Sequence, residues 1–312
     1  MKKLVALALV VMMALSMVSF ASAEGLDIGV CIYKFDDNFM TLYRTELENY
    51  LTGLGHTVTV VDGKNDQAEQ TNQINSFIAQ GVDVLIVNLV QSTAAATVID
   101  LAAAADIPVV FINREPVAED LAIWEKVCYV GADARQSGSF QGEIVLATES
   151  KGDLNGNGKV DYVMIMGDPE NVDAQQRTEF SVKALTDAGM EVNKLFEQRG
   201  DWDQAKGQEL AATALAQFGN EIDVIFCNND AMALGAVQAI RDAGRVVGED
   251  ILLLGVDALP EAVELIEAGE MTGTCVNDHN GQSHKAADIA IEMAGGMTPE
   301  KVYMVDYLKI TK

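Results

Sequence analysis

Apolar and polar positions along the chain follow two alternating periods. Short apolar runs rich in β-branched residues, typical of buried strands, alternate with longer stretches in which apolar residues recur at helical spacing. The predicted strands of the first half are Leu26–Tyr33, Thr57–Val61, Val84–Leu89 and Val109–Ile112, and the helices between them are Phe39–Leu54, Ala68–Gln80 and Ala94–Ala105. This alternation predicts a parallel sheet with helices on both faces.

The same rhythm starts again after Tyr129-Val130-Gly131. The second set has predicted strands near Tyr162–Met166, Val192–Gln198, Val224–Cys227 and Ile251–Val256, and predicted helices near Asp173–Ala188, Gln204–Phe218 and Ala231–Ala243. Two successive sets predict an α/β fold of two doubly wound, Rossmann-like lobes, in which ligands bind at the carboxyl ends of the strands. Five prolines and no low-complexity tract leave no room for a long flexible linker, so we expect short strand crossings between the lobes.

The N-terminus has the pattern of a secretory signal peptide at residues 1–23. Two lysines precede the apolar run Leu4–Phe20, which ends at the small residues Ala21-Ser22-Ala23. A membrane anchor is the alternative, but the run is at or below the ~20 residues that span a bilayer comfortably. We therefore expect cleavage before Glu24. Because the first cysteine is Cys31, no lipid anchor is expected, and the mature protein is predicted to be soluble in the periplasm or another extracytoplasmic space.

The net charge argues against two classes of partner. The chain carries a formal charge of −26, and removal of Lys2 and Lys3 with the signal peptide would change it to −28. A protein this acidic repels nucleic acid and anionic lipid, so neither is expected as a partner.

The four cysteines of an exported chain raise the question of disulfides, for which three pairings exist. Each of them, Cys31, Cys128, Cys227 and Cys275, lies inside or beside an apolar run. Such positions favour buried free thiols that pack as small apolar groups, because a chain of this size does not need disulfides for stability.

Polar side chains follow four of the predicted strands. They belong to the segments Asp36-Asp37-Asn38, Asn113-Arg114-Glu115, Asn228-Asn229-Asp230 and Val256-Asp257, and between these come Asp173, Arg177, Trp202 and Asn277. Carboxylates, amides and a guanidinium can bond the hydroxyl rim of a sugar, and aromatic rings can cover its apolar faces. Each Asp or Asn has an alternative interpretation as a helix N-cap, and Trp202 has one as packing within a lobe.

Six segments in the mature chain carry a family resemblance. They are Tyr33–Met40, Val109–Pro116, Tyr129–Gly131, Asn228–Ala233, Gly255–Ala262 and Gly273–Asp278. From Asp27 to the C-terminus the sequence resembles the periplasmic galactose/glucose-binding proteins, members of the ribose-type sugar receptors with the type I periplasmic binding protein fold. The resemblance implies an N-terminal lobe of residues 24–131 plus 279–303 and a C-terminal lobe of 132–278 plus 304–312.

The resemblance also implies a mechanism and partners. A hinge of three strand crossings, near Tyr129–Asp133, Asn277–His279 and Met304–Asp306, would let the lobes close on a monosaccharide, glucose or galactose. The protein would act as a monomer that delivers the sugar to the permease of a membrane ABC transporter. A chemoreceptor is a further partner known in this family.

Individual binding roles are carried over from the family at matching positions. Asp37 would bind a hydroxyl at the position where the two epimers differ, Asn113 would bind another, and Phe39 and Trp202 would sandwich the ring. The set would be completed by Asp173, Arg177, Asn229, Asp257 and Asn277. Asn171 stands where the family commonly has His, which keeps open the alternative of another monosaccharide, such as a pentose.

A glycine-rich loop has the spacing of a calcium site. Oxygen side chains at Asp153, Asn155 and Asn157 are followed by Gly158 and Asp161, as in the first part of an EF-hand loop. Lys159 can offer only its backbone carbonyl, and Met164 stands where the bidentate Glu is normally found. The sequence alone leaves open a simple Asn/Gly turn.

The family resemblance supplies the missing calcium ligand. Its members take a distant carboxylate for this loop, and the matching position is Asp223, where the family usually has Glu. The family usually has Gln where Asp161 stands. We therefore expect a structural Ca²⁺ held by Asp153, Asn155, Asn157, Lys159, Asp161 and Asp223.

Other functional classes lack their signatures. The chain has no Gly-x-Ser-x-Gly elbow and no phosphate loop, and its three histidines, His56, His279 and His284, form no recognisable metal or nucleophile set. Adjacent carboxylates such as Asp36 and Asp37 rarely give the opposed geometry of a glycosidase. A sugar-sensing transcription regulator shares the fold, but the acidic charge, the exported N-terminus and the lack of a DNA-reading segment argue against it.

Overall fold

Two six-stranded sheets, each with apolar cores on both of its faces, make up the computed structural model of the protein. It describes residues 25–312, so the predicted signal peptide at 1–23 lies outside the described residues. Within residues 25–312, no helix combines the length and apolar character needed to cross a membrane. The predicted α/β class with two doubly wound lobes is confirmed.

The first half of the chain forms most of the first sheet. Its strands are β1 (Asp27–Ile32), β2 (Thr57–Asp62), β3 (Val84–Val87), β4 (Val109–Ile112) and β5 (Val127–Gly131). The helices between them are α1 (Asn38–Gly53), α2 (Gln67–Gln80), α3 (Ala95–Ala104) and α4 (Ala118–Leu121), with a 3₁₀ turn at Ser92–Ala94 before α3.

The second half repeats the pattern and then returns to both sheets. It runs through α5 (Ala134–Leu146), β6 (Val160–Met166), α6 (Val172–Asp187), β7 (Val192–Arg199), α7 (Gln204–Phe218), β8 (Val224–Cys227), α8 (Asp230–Asp242), β9 (Leu252–Leu254), α9 (Pro260–Ala268) and β10 (Gly273–Val276). The chain ends with α10 (His279–Ala294), β11 (Val302–Met304) and β12 (Leu308–Thr311).

The order of the strands shows that the chain crosses between the two sheets three times. The first sheet has the order β11-β5-β4-β3-β1-β2 and is parallel throughout. The second has the order β12-β10-β9-β8-β6-β7, with only β12 antiparallel to its neighbour. The chain therefore crosses after β5, after β10 and between β11 and β12. That these crossings act as a hinge stays a prediction, as do the exact lobe boundaries.

Burial explains why the central strands read as continuous apolar runs. All residues of β3, β4 and β5 are buried, because helices cover both faces of a parallel sheet. The edge strand β2 is only partly covered, with exposed or half-exposed residues throughout.

Polar residues after the strands begin several helices. The Asp37 Oδ1 accepts the Met40 N–H at 2.8 Å, and Asn171 and Asn229 cap α6 and α8 in the same way. The N-cap interpretation of these residues is therefore correct. The same residues can also bind a ligand, because each caps its helix with one side-chain oxygen and has a second polar side-chain atom.

All four cysteines are buried and free. Each is fully covered by the core of its lobe, with 0% of its surface exposed. Burial raises the pKa of the Cys31 thiol to about 12, and that of Cys128 likewise to about 12. The thiolate is the reactive form, so these groups should be inert in the native protein.

Thiol counting tests this arrangement. We expect no reaction of the native protein with Ellman's reagent, and reaction of all four thiols once the unreduced protein is unfolded in guanidinium chloride. Fewer than four thiols in the unfolded, unreduced protein would instead indicate a disulfide.

Candidate ligand-binding site

A cavity of about 350 Å³ lies between the two lobes, beyond the carboxyl ends of the strands. This volume includes space that is open to solvent. Thirteen residues line it, and we call them the cage: Tyr33, Asp37, Phe39, Met40, Asn113, Arg114, Asn171, Asp173, Arg177, Trp202, Asn229, Asp257 and Asn277. All ten binding residues predicted from the sequence are among them, although their contact with a ligand remains a prediction.

In the first lobe, Asp37 is fixed by its neighbours. The Tyr33 hydroxyl donates to the Asp37 Oδ2 at 2.6 Å. The Arg114 guanidinium stacks on the Tyr33 ring, 3.8 Å from its centroid, and donates to the Val90 carbonyl. The Asp37 carboxylate thus enters the cage in one orientation and can still accept from a hydroxyl.

Asn113 is fixed by hydrogen bonds to both its side chain and its backbone carbonyl. Its φ angle of 60° is in the left-handed region, which Asn tolerates better than most residues. The Asn88 amide donates to the Asn113 Oδ1 at 3.1 Å, and the Tyr129 hydroxyl donates to its carbonyl at 2.9 Å. With Oδ1 engaged, the Asn113 amide N–H groups are the donors left for a ligand.

Arg177 belongs to the half of the cage that the second lobe supplies, and it is only 3% exposed. Its Nη1 donates to the Asn228 carbonyl at 2.7 Å, and its Nη2 donates to the Tyr307 hydroxyl at 3.0 Å. The Asp173 and Asp257 carboxylates lie 3.9 and 4.0 Å from the guanidinium nitrogens. These distances give charge compensation without close hydrogen bonds.

The two carboxylates beside Arg177 have altered acidity. Burial raises the pKa of Asp173 to about 6, although the positive charges of Arg177 and Arg114 oppose the shift. Burial also raises the pKa of Asp257 well above its ordinary value, against the same Arg177 charge. A hydroxyl donated to either carboxylate would favour its ionised form.

The remaining amides are oriented by the second lobe and the second crossing. The Asn277 Nδ2 donates to the Asp257 Oδ1 at 3.1 Å, and the Gln282 Nε2 donates to the Asn277 Oδ1 at 2.6 Å. Asn229 and Asn171 use their Oδ1 atoms as helix caps. The Asn229 Nδ2 also donates to the Trp202 carbonyl at 3.4 Å, so its second N–H and the Asn171 Nδ2 are the donors available to a ligand.

Two aromatic rings belong to the cage, one from each lobe. Phe39 is 5% exposed at the start of α1, and Trp202 follows β7 with a φ angle of 65°. A Cβ at Gly167 would lie 2.2 Å from the indole, so only glycine lets the ring approach this backbone. Trp202 also packs against the second-lobe core, so the packing interpretation is correct alongside its place in the cage.

Sequence reasoning missed three cage residues. These are Tyr33, which ends the predicted strand Leu26–Tyr33, Met40, which lies in the predicted helix Phe39–Leu54, and Arg114, for which the sequence predicts no binding role. The signal for Arg114 was its place beside Asn113 at the end of β4. Its stacking on Tyr33 joins residues 81 positions apart, and no local pattern reveals such a contact.

The glycine-rich loop folds back onto Asp223, which is fully buried. The Asp223 carboxylate accepts backbone N–H groups of Leu154, Asn155 and Asp161 at 3.1, 2.9 and 2.9 Å. The Asn155 Nδ2 lies within 3.3 Å of both Asp161 Oδ2 and Asp223 Oδ2, so the two carboxylates face one region.

The composition of this loop fits a hard cation that takes oxygen ligands. Among residues 25–312 no group of three His, Cys, Asp or Glu side chains is arranged to hold a metal. Binding by Asp153, Asp161 and Asp223 would therefore require their side chains to come together, with amide and backbone oxygens completing the set. The Asn157 Nδ2 also donates to the Asp161 Oδ2, at 2.6 Å. Rotation of the two Asn amides would present oxygens in place of nitrogens, and Ca²⁺ takes such mixed oxygen sets.

Comparison with known proteins gives a consistent family. Residues 28–298 match the family described as "Periplasmic binding protein domain". The chain is 37% identical to the D-galactose/methyl-galactoside binding periplasmic protein MglB of Haemophilus influenzae, over 91% of this chain and 86% of that protein. It is 35% identical to a protein of Rhizobium meliloti named for rhizopine binding, over 93% and 92% of the two chains.

A solved structure has the same fold. An ABC transporter solute binding protein from Bacillus halodurans, with bound myo-inositol, superposes with a TM-score of 0.81 at 26% identity, covering 93% of this chain and 96% of that one. These relatives are solute-binding proteins rather than enzymes. The chain therefore belongs to the type I periplasmic sugar-binding proteins of the ribose and galactose family, the sugar-capturing components of ABC transporters.

Proposed function

We propose that this protein binds D-glucose or D-galactose in the cage and delivers the sugar to an ABC transporter permease. The observation that supports this most directly is the composition of the cage. It surrounds a small cavity with hydroxyl-binding groups from both lobes and adds one aromatic ring from each. The 37% identical relative named for galactose supports the choice of hexose.

Capture proceeds by closure of the two lobes. With the lobes apart, Asp37, Asn113 and Phe39 form one half of the cage, and Asp173, Arg177 and Trp202 contribute to the other. A sugar bound to one half completes its hydrogen bonds only when the second half arrives, so its higher affinity for the closed state shifts the equilibrium toward closure. The permease then recognises the closed pair of lobe surfaces.

The ligand preference depends on Asn171. Its Oδ1 is committed to the Asp173 N–H at 2.8 Å, so only its amide donors face a sugar. The family His would reach further and could carry a charge. A different polyol is therefore the competing ligand, and the relative solved with myo-inositol supports including cyclic polyols beside pentoses.

Three further features belong to the same proposal. Residues 1–23 act as a signal peptide that is removed on export, and the mature protein works as a monomer. A chemoreceptor that reads the closed form is a second partner. Each follows from the family resemblance, and N-terminal sequencing of the secreted protein tests the first.

Isothermal titration calorimetry on protein freed of sugar by unfolding and refolding tests the ligand. With calcium present, we expect one-to-one binding of glucose or galactose that exceeds binding of ribose, xylose and myo-inositol. Trp202→Ala should weaken binding at least about tenfold by removing one apolar face. As a matched control, Trp124→Phe alters a tryptophan outside the cage and should leave affinity unchanged. Binding of a pentose or inositol with no response to either hexose would contradict the proposal.

Affinity should depend on pH through Asp173. Its pKa of about 6 in the free protein means that it is ionised above that pH and protonated below it. A sugar hydroxyl that donates to the carboxylate needs the ionised form, so affinity should level off about one pH unit above the Asp173 pKa and fall below pH 6, by up to about tenfold per pH unit. Asp173→Asn should bind more weakly and flatten the profile near pH 6. Unchanged or tighter binding at pH 5 than at pH 7 would contradict this role.

We also propose that the loop at 153–161 holds a structural Ca²⁺. Asp153, Asn155, Asn157, Asp161, Asp223 and the Lys159 carbonyl would be its ligands, and the ion would neutralise the facing Asp161 and Asp223 carboxylates. The ion would fix the loop to the start of β8, in addition to the backbone hydrogen bonds that Asp223 already accepts.

Chelation tests the calcium proposal. Removal of Ca²⁺ by EGTA should lower the melting temperature by about 5 °C, and added Ca²⁺ should restore it. Asp153→Asn should reduce this response, whereas Asp187→Asn, a change at a largely exposed carboxylate, should keep it. Equal melting temperatures with and without Ca²⁺ in the unaltered protein would contradict the proposal.

A further inference from the structure

Tyr307 is buried in the third crossing, between β11 and β12. Only 2% of it is exposed, and it packs in a small apolar cluster with Ala132, Val256 and Cys275. Its backbone N–H donates to the Gln136 Oε1 at 2.7 Å, which ties the crossing to α5. Tyr307 does not line the cage itself.

The Tyr307 hydroxyl nevertheless contacts the guanidinium of Arg177, which lines the cage. It accepts a hydrogen bond from the Arg177 Nη2 at 3.0 Å, and the Asn228 carbonyl accepts one from Nη1 at 2.7 Å. These two contacts fix the plane of the guanidinium, because Asp173 and Asp257 are too distant for close hydrogen bonds.

The third nitrogen of Arg177 has no partner. Its Nε is buried without a hydrogen bond, in a residue that lines the cavity. A buried donor left unpaired is costly, so such a group indicates a ligand acceptor. Where this donor points depends on how the guanidinium plane is held.

The aromatic ring of Tyr307 also lies near the Arg177 guanidinium. The Arg177 Cζ lies 5.9 Å from the Tyr307 ring centroid and 5.8 Å from that of Trp202. Burial raises the pKa of the Tyr307 hydroxyl to about 12, so the group is neutral at physiological pH and accepts from the cation. The Arg177 guanidinium therefore lies near two aromatic rings, that of Tyr307 in the crossing and that of Trp202 in the cage.

We propose that Tyr307 is a positioning residue for sugar capture, which holds the Arg177 guanidinium in its binding orientation and links it to the crossing between the lobes. The proposal rests on sugar binding in the cage and adds a residue that acts through Arg177 alone. Tyr307 contacts second-lobe residues such as Gln136, Val256 and Cys275, so it moves with Arg177 as part of one half of the cage. It keeps the guanidinium in one orientation while that half meets the other.

Removal of one hydroxyl tests this role. Tyr307→Phe keeps the ring and deletes the acceptor, so sugar affinity should fall about tenfold, as expected for a hydrogen bond to a charged group. Tyr43→Phe is the matched control, because the Tyr43 hydroxyl is also buried but has no hydrogen-bond partner. It should leave affinity unchanged. Equal affinities of Tyr307→Phe and the unaltered protein would overturn the proposal.

A double-mutant cycle separates positioning from general stability. If Tyr307 acts through Arg177, adding Tyr307→Phe to Arg177→Lys should weaken binding no further. Gln136→Ala, which frees the Tyr307 backbone without touching the cage, should weaken binding in the unaltered background and have no effect on affinity in Arg177→Lys. Additive losses would overturn the positioning role and leave the proposed function intact. An unchanged affinity in Arg177→Lys itself would overturn both.

A spectroscopic readout complements the cycle. In a Trp124→Phe background, Trp202 is the single tryptophan, and Arg177 lies beside its ring. We expect Tyr307→Phe to shift the Trp202 emission of the sugar-free protein, whereas Tyr43→Phe should not. Identical spectra for the two variants would count against a displaced guanidinium.

Discussion

The buried charge of Arg177 is the constraint on which the ligand cleft depends. A guanidinium that is 3% exposed must be compensated, because an uncompensated buried charge is destabilising by several kcal/mol. Asp173, one turn earlier on α6, compensates part of the charge. The other partners come from distant parts of the chain: Asn228 follows β8, Asp257 follows β9, and Tyr307 lies in the third crossing. Loss of one partner would leave the others facing a poorly paired cation. The cage is therefore one electrostatic unit rather than a set of independent ligands.

The fold and the binding site share the same polar residues. Asp37, Asn171 and Asn229 each begin a helix with one oxygen and line the cavity as well. Helix N-termini and strand carboxyl ends meet at this edge of each sheet, so capping residues are brought to the cleft by the topology itself. The two interpretations that the sequence leaves open for these residues, cap or ligand, are therefore compatible. A substitution at any of the three changes stability and affinity together.

Sequence reasoning recovered the parts of the structure that local pattern encodes. The apolar runs of β1, β3 and β4 predict fully buried strands, and the polar residues that follow them predict the place of the cleft. The edge strands β11 and β12 were missed because they are only three and four residues long and are mostly exposed. Tyr307 follows from no local signal, since its partner Arg177 is 130 positions away. Arg114 is similar, because its role depends on the Tyr33 ring from another strand.

Capture by this cage requires the two lobes to close on the sugar. Small-angle X-ray scattering of the sugar-free and sugar-saturated protein detects this movement, because closure changes the overall dimensions whatever the identity of each hydrogen bond. We expect a smaller radius of gyration when the sugar that binds in calorimetry is added, and no change with a sugar that does not bind. An unchanged radius of gyration on sugar saturation, in protein shown to start free of ligand, would contradict closure as the mechanism.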